Sequence, residues 1–288
     1  MHIKQLRWLS LSFAVLGTIY ILGGCTATPT VIERITNAQS IAKQAEFQSS
    51  IIITPEFDLV AFRKATHQLS DRLIIYIEGD GHAWMTASLP SNNPTPINPL
   101  ALSLAVQDVR TAVAYLARPC QYVDLPSRGC SIKAWTNARF SPIVISSMSI
   151  AVDTLKKEFG AKELVLIGFS GGGAIAVLIA SQRQDVAGIM TIAGNLDTER
   201  WVSLYGLEPL TGSLNPASVA TQLSSMPQVH FIGGKDEVIS KNVTESFLQK
   251  MGSPNQAKII EIPNYGHVCC WNDSWKELLK KANQANSN

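Results

Sequence analysis

The 288-residue chain carries little charge, 16% against 46% hydrophobic, and no marked excess of either sign, since 24 Lys and Arg face 22 Asp and Glu. That near balance removes the electrostatic basis for holding a polyanion, so nucleic acid is excluded as an expected partner. No two cysteines have C-x-x-C spacing and no H-E-x-x-H occurs, so the sequence offers no zinc site and implies no cofactor. It has no internal repeat, no low-complexity tract, and no uninterrupted apolar run of the roughly 18 to 20 residues that a spanning helix requires. What remains is the composition of a folded chain able to bury a large core, at a length that α/β folds commonly reach as one domain.

The N-terminus reads as a secretory leader. Lys4 and Arg7 form a small basic region, Leu9 to Leu22 is apolar but too short to span, and Leu22-Gly23-Gly24-Cys25 follows. That quartet resembles the lipobox of bacterial lipoproteins. The resemblance implies cleavage before Cys25, a diacylglyceryl group on its thiol, and a membrane partner reached through that lipid. Thr26 stands where such proteins carry aspartate when they stay in the inner membrane, which implies the outer membrane, facing the periplasm. Residues 1–24 are then a signal peptide, 25–47 a tether with an amphipathic lead-in, and 48–288 the folded domain. The leader contains Lys4 and Arg7 and no acidic residue, so its loss leaves 22 basic against 22 acidic residues.

With Cys25 given to lipid, Cys120, Cys130, Cys269 and Cys270 remain for an oxidising compartment. Cys120 and Cys130 bracket a loop containing Pro126 and Gly129, which suits a local disulfide, while Cys269 and Cys270 are adjacent. Four cysteines allow three pairings, and the spacing does not choose among them.

Short apolar runs alternate with helical patterns along the rest of the chain. Ile51–Ile53 and Leu59–Arg63 read as an opening hairpin, with further strands at Leu73–Ile77, Ala112–Ala117, Leu164–Gly168, Gly188–Ala193, Val229–Ile232 and Lys258–Ile262. Asn98-Pro99 reads as a capping residue and an N1 proline, and Ser141-Pro142 does the same for a helix running to about Phe159. Strands separated by helices predict an α/β fold, a doubly wound, mostly parallel sheet with helices on both faces.

Leu164–Ala180, LVLIGFSGGGAIAVLIA, sets one serine between a buried strand and three glycines that open a helix. Only small residues separate strand from helix, so the turn is sharp, Ser170 is strained and its hydroxyl is exposed. Gly168 and Gly172 stand where a Cβ would collide with the neighbouring turn, the layout of a nucleophile elbow. Gly171 would present its backbone N–H at a helix N-terminus. Gly171, Gly173 and Ala176 also fit a dinucleotide fingerprint, G-x-G-x-x-A. No acidic residue ends the next strand at the required distance, and Asp185 comes too early, so that reading is set aside.

A base and an acid should follow the serine in that fold order. Of five histidines, His2 lies in the leader, His67 and His82 precede Ser170, and His230 sits in an apolar strand. His267 follows a strand through the turn-rich Pro263-Asn264-Tyr265-Gly266. Asp236 ends the strand and glycine turn Phe231-Ile232-Gly233-Gly234-Lys235, with Glu237 and Asp197 as competitors for the acid.

On Gly168-Phe169-Ser170-Gly171-Gly172, Gly233-Gly234-Lys235-Asp236 and Gly266-His267, the chain resembles the α/β-hydrolase family from about Ile51 to Lys281. The resemblance implies a catalytic Ser170, Asp236 and His267, an oxyanion donor at Gly171, and a second donor in the loop after the third strand. That loop reads Ile77-Glu78-Gly79-Asp80-Gly81-His82, with glutamate where the family often has histidine. Aligning Gly79 with the family glycine nominates the N–H of Asp80, whose carboxylate would have to point away from an oxyanion; a plain tight turn is the other reading. Residues 195–227, with Trp201, Leu204, Tyr205 and Leu210, occupy the place of a short cap. The implied function is a serine hydrolase cleaving carboxylic esters through an acyl-enzyme, on a small-molecule or lipid acyl substrate. An amidase, peptidase or acyltransferase with the same triad, and a scaffold that keeps the fold without catalysis, are the alternatives. Oligomeric state is not legible.

Overall fold

Strand β3 (Arg72–Ile77) illustrates why this sequence makes a sheet buried on both faces. Leu73, Ile75 and Ile77 pack into one hydrophobic cluster, and Ile74 and Tyr76 into another. Side chains alternate across a strand, so a strand covered on both sides must be apolar at successive positions.

The computed structural model describes residues 28–64, 69–252 and 256–286; the leader, Cys25, His2 and His67 lie outside them. Helix α1 (Val31–Gln44) leads into β1 (Phe47–Ile53) and β2 (Asp58–Lys64), then β3, α2 (Leu100–Ala105), β4 (Val113–Leu116), α3 (Ile132–Trp135) and α4 (Pro142–Phe159). The second half runs β5 (Glu163–Phe169), α5 (Gly171–Ala180), β6 (Val186–Ile192), α6 (Thr198–Tyr205), a 3₁₀ helix (Pro216–Leu223), β7 (Gln228–Gly233), α7 (Lys241–Met251), β8 (Ala257–Ile262) and α8 (Trp271–Asn286). The eight strands form one sheet in the order β1-β2-β4-β3-β5-β6-β7-β8. β2 is antiparallel to both neighbours, and every pairing from β4 to β8 is parallel.

Helices α4, α5 and α7 cover one face, and α1, α2 and α8 the other. All ten residues of α5 are buried, which is why it is apolar around its whole circumference rather than along one stripe. α4 begins as its sequence predicts, with Ser141 Oγ accepting from Val144 N and Pro142 at the first turn. α2 begins one residue later than expected, because Pro99 itself occupies the N-cap and Asn98 makes no cap. Among the described residues, no helix is long and apolar enough to cross a membrane.

The reading of 25–47 as a tether is corrected for most of its length. Thr30 and Glu33 form a capping box at the start of α1, Ala38 and Ala42 are buried against the sheet, and Arg34 donates to Thr95 O at 2.5 Å. A segment that buries alanines and an arginine is part of the body, and Phe47 already belongs to β1. Cys120 is bonded to Cys130, and Cys269 to its neighbour Cys270.

Candidate active site

β5 ends at Phe169 and α5 starts at Gly171, leaving Ser170 alone to make the turn. Its φ of 50° and ψ of −118° lie where non-glycine residues are sparse and the surrounding structure must impose the conformation. The imposition is close packing. A Cβ on Gly168 would lie 2.2 Å from Gly172 O, and one on Gly172 2.3 Å from Ile77 O, so neither position accepts a side chain. Gly171 opens α5, and the first N–H groups of a helix have no acceptor within it.

The other two residues arrive on loops after β7 and β8. His267 Nε2 lies 3.0 Å from Ser170 Oγ, and His267 Nδ1 lies 2.9 Å from Asp236 Oδ2. An ionised carboxylate can only accept, so Nδ1 carries the proton and Nε2 is left to accept from the Ser170 hydroxyl. Asp236 is fixed from behind, its Oδ1 accepting from Val238 N and Ile239 N, both at 2.8 Å. The His267 loop is held by buried Trp271, whose Nε1 donates to His267 O at 3.0 Å and Gly266 O at 3.1 Å. Phe169 covers the imidazole, with ring centroids 5.1 Å apart. The Asp236 side chain is fully buried while that of His267 is 15% exposed, so the carboxylate sits behind the imidazole and, of the two, only the imidazole reaches the cavity.

The loop after β3 completes the floor. Glu78 is buried; its Oε1 accepts from Gly79 N at 3.0 Å and Ala101 N at 3.3 Å, and its Oε2 accepts from Tyr115 Oη at 3.1 Å. Burial pushes its carboxyl up to about 7 against those hydrogen bonds. The Asp80 carboxylate is gripped by Arg118 Nη1 at 3.1 Å and by Arg139 Nη1, both side chains 5% exposed. Burial pushes Asp80 up, and the two guanidiniums, Arg139 before Arg118, outweigh it and hold the carboxylate below its usual range. The N–H groups of Asp80 and Gly171 have no acceptor among the described residues.

Glu78, Asp80, Ser170 and His267 line a cavity of about 380 Å³. Trp84, Trp201, Val238, Ile239 and Val268 give it apolar walls, and Arg139 and Asn195 a polar flank. Trp201 comes from the short cap, which contributes α6 and the 3₁₀ helix and no separate lid domain.

The competitors lie elsewhere. Asp197 caps α6, accepts from Arg200 N, Asn215 Nδ2 and Ser246 Oγ, and pairs with Lys250 Nζ at 2.9 Å. Burial raises its carboxyl, but the bonds from Ser246, Lys250, Asn215 and Arg200 N bring it below the usual value. Glu237 is exposed. His230 is a core residue, with Nδ1 2.8 Å from Thr191 Oγ1 and burial pushing the ring down to about 3. Arg118, Arg139 and Trp271 were not legible as site residues, because each reaches the site through tertiary contacts that no local pattern announces.

A family model described as "Serine hydrolase (FSH1)" matches residues 111–275, more than half the chain and the span that holds Ser170, Asp236 and His267. The chain belongs to this serine hydrolase family. The hydrolase has the α/β-hydrolase fold, and its solved neighbours share it. An esterase of Pyrococcus furiosus superposes with a TM-score of 0.59 at 13% identity, covering 85% of this chain and 93% of its own. A putative dienelactone hydrolase of Klebsiella pneumoniae gives 0.55 at 16%, covering 83% and 98%. An acylaminoacyl peptidase of Pyrococcus horikoshii gives 0.59 at 11%, covering 83% of this chain and 41% of its own. At these identities the likeness is one of fold. No curated protein sequence matches the chain.

Proposed function

We propose that the hydrolase cleaves carboxylic esters by two-step acyl transfer, with Ser170 as nucleophile, His267 as general base and acid, and Asp236 as the group that orients the imidazole. The observation that carries this reading is the unbroken hydrogen-bonded line Ser170 Oγ, His267 Nε2, His267 Nδ1, Asp236 Oδ2. As Ser170 Oγ attacks the carbonyl carbon, His267 Nε2 takes its proton and the imidazolium is stabilised by Asp236. The carbonyl oxygen becomes an oxyanion, received by the N–H groups of Gly171 and Asp80. Collapse of the tetrahedral species expels the alcohol with the proton from His267, and water then releases the acid by the same steps in reverse. The apolar wall of Trp84, Trp201, Val238, Ile239 and Val268 suits a hydrocarbon acyl or alkyl group of a small-molecule or lipid ester.

Ester against amide is decided by a matched pair. With p-nitrophenyl butyrate and butyryl p-nitroanilide, kcat/KM is expected to favour the ester strongly and to vanish for both in Ser170→Ala. Preference for the anilide would transfer the reading to an amidase or peptidase.

We further propose that Cys25 carries lipid and holds the hydrolase at the outer membrane, facing the periplasm; the motif Leu22-Gly23-Gly24-Cys25 supports this. In bacteria fed an alkyne-tagged fatty acid, the wild type is expected to take up the tag, and Cys25→Ser to lose it and retain its leader. An untagged wild type contradicts the anchor.

A further inference from the structure

The peptide between Gly79 and Asp80 is held by a residue remote in sequence. Gln121 is 1% exposed, donates from Nε2 to Gly79 O at 3.0 Å, and accepts at Oε1 from Arg118 N at 3.0 Å. Both ends of the amide are therefore engaged, and its orientation is set. Among the described residues only the Leu125–Pro126 bond is cis, so the Gly79–Asp80 peptide is trans, and a trans peptide points its C=O and N–H in opposite directions. By holding the carbonyl, Gln121 turns the Asp80 N–H the other way. The Asp80 side chain is anchored separately, by Arg118 and Arg139, and so does not compete for that choice.

The backbone around Gln121 bears the marks of an imposed conformation. Cys120 and Tyr122, on either side of it, have φ of 70° and 60°. Two non-glycine residues in the left-handed region persist only where their surroundings require it. Here the Cys120–Cys130 disulfide holds one side, and the bond from Tyr122 N to Thr95 Oγ1, 2.8 Å, holds the other. Gly81 makes room for the arrangement, since a Cβ there would come within 2.7 Å of Gln121 Nε2.

We propose that Gln121 is a positioning residue for the oxyanion-binding peptide: it acts through Gly79 O to aim the Asp80 N–H at the oxygen that becomes negative during attack. The proposal rests on the acyl-transfer reading given above. An N–H aimed at the developing charge contributes to the transition state far more than to substrate binding, so its misdirection lowers kcat and leaves KM.

The test uses Gln121→Met, which keeps the length and removes both the donor to Gly79 O and the acceptor for Arg118 N, and Gln121→Glu, which keeps the acceptor for Arg118 N and sets an oxygen where the donor to Gly79 O stood. In both, kcat for p-nitrophenyl butyrate is expected to fall by about 10- to 100-fold, less than the loss of a whole oxyanion donor, with KM little changed. The second-order rate of phosphonylation by a fluorophosphonate should fall in parallel, because that reaction also places an oxygen between the same N–H groups. Circular dichroism checks that each variant is folded, and the glutamate variant decides should the methionine variant fail that check. Wild-type kcat in a folded variant, or a loss confined to KM, overturns the proposal. Phosphonylation of wild-type Ser170 separates the two levels. If it fails, the acyl-transfer reading falls; if it succeeds and the variants react as fast, only the role of Gln121 falls.

Discussion

Asp236→Asn is expected to lower kcat by about 10⁴-fold while the protein stays folded. The size follows from which atoms are already engaged. Asp236 Oδ1 accepts from Val238 N and Ile239 N, so the asparagine oxygen keeps that place and its Nδ2 is turned toward His267. An amide N–H facing Nδ1 makes Nδ1 the acceptor and moves the ring proton to Nε2, where it can no longer take a proton from Ser170. Asp197→Asn should behave in the opposite way. That side chain is fully buried in a structural network and caps α6, so the change is expected to cost on the order of 1 kcal/mol or more of stability with kcat near normal. Glu237→Gln, on an exposed side chain, should change neither. Steady-state kinetics and thermal melts on the three variants separate the candidates. Collapse of kcat at Asp197 with activity kept at Asp236 would place the acid after β6.

Ser170→Ala should be the more damaging change, with kcat falling on the order of 10⁶-fold, as expected when the attacking atom is lost. Alanine keeps the Cβ and inherits the same φ of 50°, so the turn is no more strained than before, and Gly168 and Gly172 still leave room for it. The His267–Asp236 bond does not involve the serine and should persist. A melting temperature close to that of the wild type together with lost turnover assigns the effect to chemistry. Retained turnover in the alanine variant would mean that another residue, or none on this line, carries the reaction.

Seven of the eight strands were legible to within one or two residues, because a sheet buried on both faces needs apolar residues at successive positions, as β3 shows; β1 begins at Phe47 rather than Ile51, its polar Gln48, Ser49 and Ser50 hiding its first half. The elbow was legible for a related reason, since the backbone approaches at Gly168 and Gly172 leave no space for other residues. Glycine records such constraints directly. The carboxylate that meets His267 was legible only as a choice among Asp236, Glu237 and Asp197: all follow strands, and what distinguishes them is where each carboxylate finds donors. That is tertiary information. The packing of α1 was missed because Ala38, Ala42 and Arg34 look like a solvated amphipathic stretch until the sheet they cover is known. Gln121 and Arg139 carried no signal at all, since neither residue type nor spacing tells that its side chain closes on the Gly79–Asp80 segment.

The central claim is that Ser170, with its proton drawn toward His267, is the one side chain that attacks an acyl or phosphoryl centre. Incubating the folded protein with a fluorophosphonate and mapping the adduct by peptide mass spectrometry tests it most directly. The account predicts a single adduct per chain, on the peptide bearing Gly168-Phe169-Ser170-Gly171-Gly172 and sited at Ser170, and none in Ser170→Ala. An unmodified Ser170 in folded protein, or an adduct on another residue, would contradict it.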